Sequence, residues 1–398
     1  MRLRHGLEII RFVVAAEHRV GQRRGADVRR SPRPCDTFAM AGRLSALLEV
    51  IRPRTIARAV KSVDDLAVIS RDLKRLVKQL EQRAVQTDAR TSALEEELRS
   101  LSDAVAELRV RESRLRAIYQ RDIDLQPALD AVDRILDAAS IRSHVERSFE
   151  SAPLDLEPFP HLVLEDLFPQ PFYETVLRGI PPVEMFDGAK NKQRIVVPFE
   201  MAPAFSRRVW GFLLHSVVDE IIGPALIRKF RQPLNEWLQA TWPELAGQSL
   251  ESLVRLQSTD GRILLRGQGY LIPPHRDPKW GFVTCLLYLA RPGDSATWGT
   301  ELYHVDGDTE AVNVAPHWIR AEDCRLAKEV PFRPNTALAF MNSRGAHGAR
   351  IPADAQPDLE RYIYQFRIGP SSESIRKLQA LLPQDRREMW SGKAVDYA

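Results

Sequence analysis

The chain has 398 residues, a formal net charge of +4, 44% hydrophobic residues and a pI near 9.0. That length holds two or three domains, and the small charge with no lysine block interleaved with aromatics argues against nucleic acid as a partner. Cys35, Cys285 and Cys324 are odd in number and far apart, which speaks against a disulfide framework and for a reducing, cytoplasmic setting; no apolar run approaches the roughly 20 residues that cross a bilayer.

Residues 1–39 contain nine arginines and no lysine. Glu8, Glu17 and Asp27 break the acid-poor pattern of a transit peptide, and no signal-peptide order is visible. The stretch reads as an Arg-rich extension, with translation expected to start at Met40. From residue 60 to 120 the pattern is one long helix. Leu66, Leu73, Leu80, Thr87, Leu94, Leu101, Leu108 and Leu115 are spaced a heptad apart, with Ile69, Leu76 and Ile118 at the companion position. Arg83 and Arg90 interrupt the seam, and Leu98 and Val105 move the companion residue one place later, a local change of winding. The segment is expected to be a coiled coil that brings copies of the chain together as a homo-oligomer.

Residues 121–154 read as a helical connection, residues 155–370 as the globular domain and residues 371–398 as a helical tail. Within the domain, His161 to Asp166 reads as a strand, Pro171 to Leu177 as a helix, and Arg207 to Ile222 and Pro224 to Trp242 as amphipathic helices. Strand signals then take over. Val254 to Thr259 and Arg262 to Arg266 flank Asp260-Gly261, which predicts a two-residue hairpin. Phe282 to Leu289 is apolar enough for a strand buried on both faces, and further strands are expected at Thr300 to Val305, Asn335 to Phe340 and Arg361 to Ile368. Short strands after a set of helices predict an α+β fold with a β-sandwich or jelly-roll core and helices packed outside.

The chemistry concentrates in the strand-rich half. His275 and Asp277 are two residues apart, so in extended chain they leave the same face and can reach one ion. Pro273 and Pro274 put this pair at a strand end or an edge. His347 follows a strand and stands in a turn between Gly345 and Gly348. Two imidazoles and a carboxylate are the donor set that holds a mononuclear Fe(II) on one face and leaves open positions. His275-Arg276-Asp277 also matches the start of a protein-kinase catalytic loop, but Phe282 stands where that loop requires Asn, and no Asp-Phe-Gly or phosphate loop is present.

The ordered set Gly269-Tyr270, His275-Arg276-Asp277, Thr284 to Leu289, Trp298-Gly299-Thr300-Glu301-Leu302, Pro334-Asn335, His347-Gly348 and Arg361, with the opening Phe159 to Phe168, resembles the prolyl-4-hydroxylase-like branch of the Fe(II)- and 2-oxoglutarate-dependent oxygenases. The resemblance runs from about residue 155 to 370 and implies a double-stranded β-helix (jelly-roll) core. It implies His275, Asp277 and His347 as iron ligands. Arg361 would pair with the distal carboxylate of 2-oxoglutarate, a task for which its planar fork is suited. Tyr288 would hydrogen-bond the same group, with Tyr270 as a second candidate. The departures are Thr300 where a second glycine is common and the extra loop Pro352 to Glu360, which leaves Arg367 as an alternative carboxylate partner. The implied reaction is oxidative decarboxylation of 2-oxoglutarate to succinate and carbon dioxide coupled to hydroxylation by O2, with ascorbate as an auxiliary reductant. The substrate is a small molecule, a sugar or a protein side chain.

Other residues have plainer readings. His304 and His317 are expected at the surface or in packing. Trp280, Trp298 and Trp318 are candidates for the substrate mouth, and Lys279, Arg266 and Arg344 could meet an acidic substrate or simply be surface charge. The competing account of the whole chain is a coiled-coil scaffold whose β-domain binds a metal or ligand without catalysis.

Overall fold

The structure is a computed structural model that describes residues 53–195, 198–247, 254–307, 317–387 and 390. The Arg-rich stretch 1–39 and the end of the C-terminal tail lie outside the described residues. Two compact units are present, Met1–Ser100 and Leu101–Ala398.

In the first unit the described chain is helical throughout, the first part of an 80-residue helix α1 (Pro53–Val132). Residues 62–120 lack glycine and proline, so nothing interrupts the backbone ladder. The heptad leucines are exposed, Leu66 at 61% and Leu73 at 57%.

In the second unit α1 ends with Leu125 and Val132 buried. Helix α2 (Ala138–Ser151) follows, its first turn closed by the Asp137 carboxylate accepting from the Ala139 amide at 3.0 Å. Ile141, Val145 and Phe149 recur at helical spacing, are buried, and join the same core cluster as the sheet. The segment read as a connection is therefore helical and packs into the domain.

All strand pairings are antiparallel, and the strands, numbered along the chain, form two sheets. The larger has the order β1 (Leu154–Asp155), β2 (His161–Leu164), β11 (Thr336–Met341), β7 (Val283–Tyr288), β13 (Arg361–Pro370), β5 (Leu256–Arg266), β4 (Lys192–Ile195), β3 (Phe186–Ala189). The smaller has the order β10 (Cys324–Val330), β8 (Thr300–Val305), β12 (Ala346–Arg350), β6 (Leu271–Arg276), β9 (His317–Trp318). Strand β7 is buried along its whole length, and its alternation explains why. Val283, Cys285 and Leu287 belong to the core shared with the helices, whereas Leu286 and Tyr288 belong to a second core with Leu302 of β8 and Phe340 of β11. One face of the larger sheet thus packs on helices and the other on the smaller sheet.

The helical layer comprises α3 (Gln170–Arg178), α4 (Ala204–Phe212), a π-helical stretch Leu213–Ile222, α5 (Gly223–Lys229) and α6 (Arg231–Thr241), with α7 (Ser372–Leu381) near the end of the described chain. Residues Ala204–Lys229 are continuous, long and apolar enough by composition to pass as a membrane span, contrary to the expectation that no such run exists. Half of that window is buried, with Val209, Leu213, Val217 and Ile221 in the core.

The expected hairpin at Asp260-Gly261 is not formed. Leu256–Arg266 is one strand of 11 residues paired along β13. Pairing passes from Arg262 opposite Gln365 to Thr259 opposite Arg367, so Asp260 and Gly261 together face one residue and make a bulge. The long partner strand holds both halves extended, which overrides the local turn preference. Glycine is required at 261 by packing, because a Cβ there would collide with the Tyr364 hydroxyl.

Candidate metal centre

Strands β6 and β12 are neighbours in the smaller sheet, and their register sets His275 directly opposite His347. The two rings lie 4.2 Å apart between centroids. Asp277 follows the end of β6, and one donor atom from each of the three residues lies within 4.8 Å of the others. All three are buried. His347 is in the strand itself, one step further than the expected turn, which closes at Gly345. That glycine has φ +69°, and a Cβ on it would run into the Phe159 ring, so only glycine lets the chain enter β12 here.

The electrostatics suit a cation. His275 Nδ1 lies 2.9 Å from the Pro273 carbonyl, so that nitrogen carries the proton and donates, leaving the Nε2 lone pair free to ligate. Burial lowers the His275 pKa, and for His347 burial, and next the charge of His275, lower it to about 3. Both imidazoles are neutral at neutral pH, as ligation requires. Burial pushes Asp277 upward, but Arg367 and then the two histidines outweigh it and hold the carboxyl far below its usual range. Arg367 Nη2 lies 3.1 Å from Asp277 Oδ1, and the Thr284 hydroxyl donates to Oδ2 at 2.6 Å.

The triad opens into a cavity of about 440 Å3 between the sheets, lined also by Tyr270, Ile272, Leu286, Thr300 and Ile363. Its far wall follows from strand period and register. Thr284, Leu286 and Tyr288 of β7 lie opposite Arg367, Gln365 and Ile363 of β13, and Arg361 lies opposite Arg266 of β5. Tyr270 is in the cavity wall, its ring 4.8 Å from the Arg266 guanidinium carbon. Tyr288 and Arg361 lie behind that wall. Tyr288, its pKa pushed up to about 12 by burial, donates to the Thr300 hydroxyl at 2.8 Å. Arg361 spreads over the Phe332 ring at 3.7 Å and donates to the Trp298 carbonyl, while its Nε is buried with no hydrogen-bond partner. Arg367, the alternative carboxylate partner, is engaged with Asp277 instead.

The remaining expectations separate cleanly. His304 Nδ1 lies 3.8 Å from Glu157 Oε2 rather than at the triad. Trp280 is buried against Trp242 and Trp390 and is not a mouth residue. Trp298 packs with Tyr270 and Ile351, whereas Trp318 is exposed and its ring centroid lies 5.1 Å from that of His275. Lys279 sits over Trp390 at 4.8 Å, and Arg344 lies 3.8 Å from Glu157. Asn342 was not singled out from sequence, and Thr284 and Thr300 were read only as motif positions with no role at the site. Asn342 donates to the Thr284 hydroxyl at 2.9 Å and so supports the group that holds Asp277. A polar residue at the inward parity of an apolar strand was the available signal for Thr284.

No protein-family model and no curated protein matches the chain. Solved structures that are similar include a prolyl hydroxylase from Trichoplax adhaerens in complex with a hypoxia inducible factor peptide fragment, at 13% identity and a TM-score of 0.33, covering 65% of this chain and 96% of that one. A Pseudomonas putida prolyl-4-hydroxylase is similar at 13% identity and a TM-score of 0.28, covering 58% of this chain and 100% of that one. HygX from Streptomyces hygroscopicus, with nickel, 2-oxoglutarate and hygromycin B bound, is similar at 13% identity and a TM-score of 0.31, covering 58% and 88%. At such identities and TM-scores, the chemistry of the site rests on its own residues.

Proposed function

We propose that this protein is an Fe(II)- and 2-oxoglutarate-dependent dioxygenase that hydroxylates its substrate and releases succinate and carbon dioxide. The observation that carries the reading is the convergence of two neutral imidazoles and one ionised carboxylate on a single cavity, their donor atoms within 4.8 Å. Two facing sheets with the triad between them support a jelly-roll reading of the core.

The residues fit both groups. His275, Asp277 and His347 would hold the metal, a donor set of the 2-His-1-carboxylate kind. The unpartnered, buried Nε of Arg361 is an orphan donor that a carboxylate would satisfy, which favours Arg361 over the ion-paired Arg367 for the distal carboxylate of 2-oxoglutarate. Bound Fe(II) supplies the redox chemistry that couples 2-oxoglutarate decarboxylation by O2 to oxidation of a C–H bond.

The protein's own part is orientation and exclusion of water. The Pro273 carbonyl fixes the His275 tautomer, and Thr284 and Arg367 fix the Asp277 carboxylate. The Phe332 face holds the plane of the Arg361 guanidinium, and the Tyr288 hydroxyl, which donates to Thr300 here, would turn from it to give the same carboxylate a second donor. Ile272, Leu286 and Ile363 give the cavity beside the triad apolar walls. The exposed heptad face of α1 supports self-association of the chain.

Titration of Co(II) into the full chain tests the metal site. The reading expects one equivalent bound by the wild type and none by Asp277→Ala or His347→Ala; equal binding by all three would refute it.

A further inference from the structure

The inner face of the larger sheet carries a row of cations that the metal and 2-oxoglutarate do not use up. Lys192 of β4 lies directly opposite Arg266 of β5, and Arg266 lies directly opposite Arg361 of β13. Like charges in direct cross-strand opposition destabilise a sheet. Here three stand in one row, and two of them, Lys192 and Arg266, line the cavity. Among the described residues, Lys192, Arg266 and Arg361 have no ion-pair partner; Arg266 gives its Nη1 to the carbonyls of Gln193 and Leu265 at 2.8 and 3.0 Å, which leaves its charge uncompensated. The carboxylates lining the cavity are Asp277, taken by Arg367, and Asp187, which stands directly opposite Arg194 and accepts from the Gly188 amide at 2.7 Å.

The row is graded in depth. Lys192 is exposed at the mouth, Arg266 is 8% exposed in the lining, and Arg361, 4% exposed, lies behind the wall. Such a gradient of one sign, in a cleft with apolar walls, draws anions inward. The innermost cation is matched to 2-oxoglutarate by the reading above. Lys192 and Arg266 are then left over, at the end where a second molecule must enter.

Resting on the oxygenase reading, we propose that the molecule oxidised at this site carries an oxyanion group, phosphate or carboxylate, held at the cavity mouth by Lys192 and Arg266 while the rest of it extends toward His275 and His347.

The test titrates inorganic pyrophosphate and, separately, citrate into the metal-free full chain by calorimetry at fixed ionic strength. Lys192→Gln removes an exposed mouth charge, and the control variant Arg228→Gln removes an exposed charge elsewhere. The expected result is saturable wild-type binding of at least one probe, weakened at least about tenfold by the mouth variant and less than about twofold by the control. Whichever probe binds more tightly identifies the phosphate or the carboxylate source. Absence of saturable binding of either probe, or equal weakening in the two variants, overturns the proposal. Co(II) titration of the same preparations separates the two readings: anion binding at the mouth without Co(II) at the triad sinks the oxygenase reading and leaves the anion subsite standing.

Discussion

Arg367 reaches Asp277 across the gap between the two sheets, Nη2 to Oδ1 at 3.1 Å with both side chains buried. The pair ties the end of β6 to β13 and sets the carboxylate beside the histidines. Breaking it by Arg367→Leu leaves a buried, uncompensated carboxylate, so unfolding free energy should fall by about 3–5 kcal/mol. The double variant Asp277→Ala/Arg367→Leu should lose less than the two single losses combined, as read by urea denaturation. Additive losses would show that the pair is not coupled.

Acid should destabilise the metal-free protein over a defined window. Burial and the neighbouring His275 bring the His347 pKa from 6.5 to about 3 in the folded state. The folded state then binds fewer protons than the unfolded one, so this stability is complete above 6.5 and is lost as pH falls toward 3. Asp277, also held low, adds a loss with the same sign below its unfolded value of 3.8. Urea midpoints should drop between about pH 7 and pH 5, and His347→Gln should flatten that drop. An unchanged slope in the variant would assign it to other groups.

Arg361 and Tyr288 should be read out by the co-substrate. Arg361→Leu is expected to raise the KM for 2-oxoglutarate by roughly 10- to 100-fold, as loss of a charged hydrogen bond implies. Tyr288→Phe should have a smaller effect in the same direction. Co(II) affinity should be unchanged in both, because neither residue touches the triad. A KM shift from Arg367→Lys with none from Arg361→Leu would exchange the two arginines' roles.

The heptad face gives an association prediction. Leu73 and Leu101 are exposed at 57% and 61%. Sedimentation of the full chain should show a dimer or higher oligomer, and Leu73→Glu/Leu101→Glu should shift it toward monomer. A monomeric wild type would leave α1 as a solitary helix.

What could be read beforehand was whatever depends on short-range pattern. Strand β8 has the bounds expected from Thr300 to Val305, and β7 was legible because a strand covered on both faces must be apolar throughout. The closeness of His275 and Asp277 was legible because they stand two residues apart at the end of one strand. Asp260-Gly261 misled because a turn dipeptide cannot announce that a ten-residue partner strand will hold both flanks extended. Arg361 and Arg367 could not be told apart from period alone, since both face inward; their separation depends on Asp277 and Phe332, which come from other strands. The cationic row is a register property, visible only once β4, β5 and β13 are side by side.

The central claim is that the His275, Asp277 and His347 cavity runs an Fe(II)-dependent oxidation of 2-oxoglutarate. Anaerobically loaded with Fe(II), then given 2-oxoglutarate and O2, the full chain should form succinate and carbon dioxide in equal amounts even without its substrate, and Asp277→Ala should fall to background while remaining folded by circular dichroism. Succinate formation that survives in Asp277→Ala, or that is absent from an iron-loaded wild type, would contradict the account.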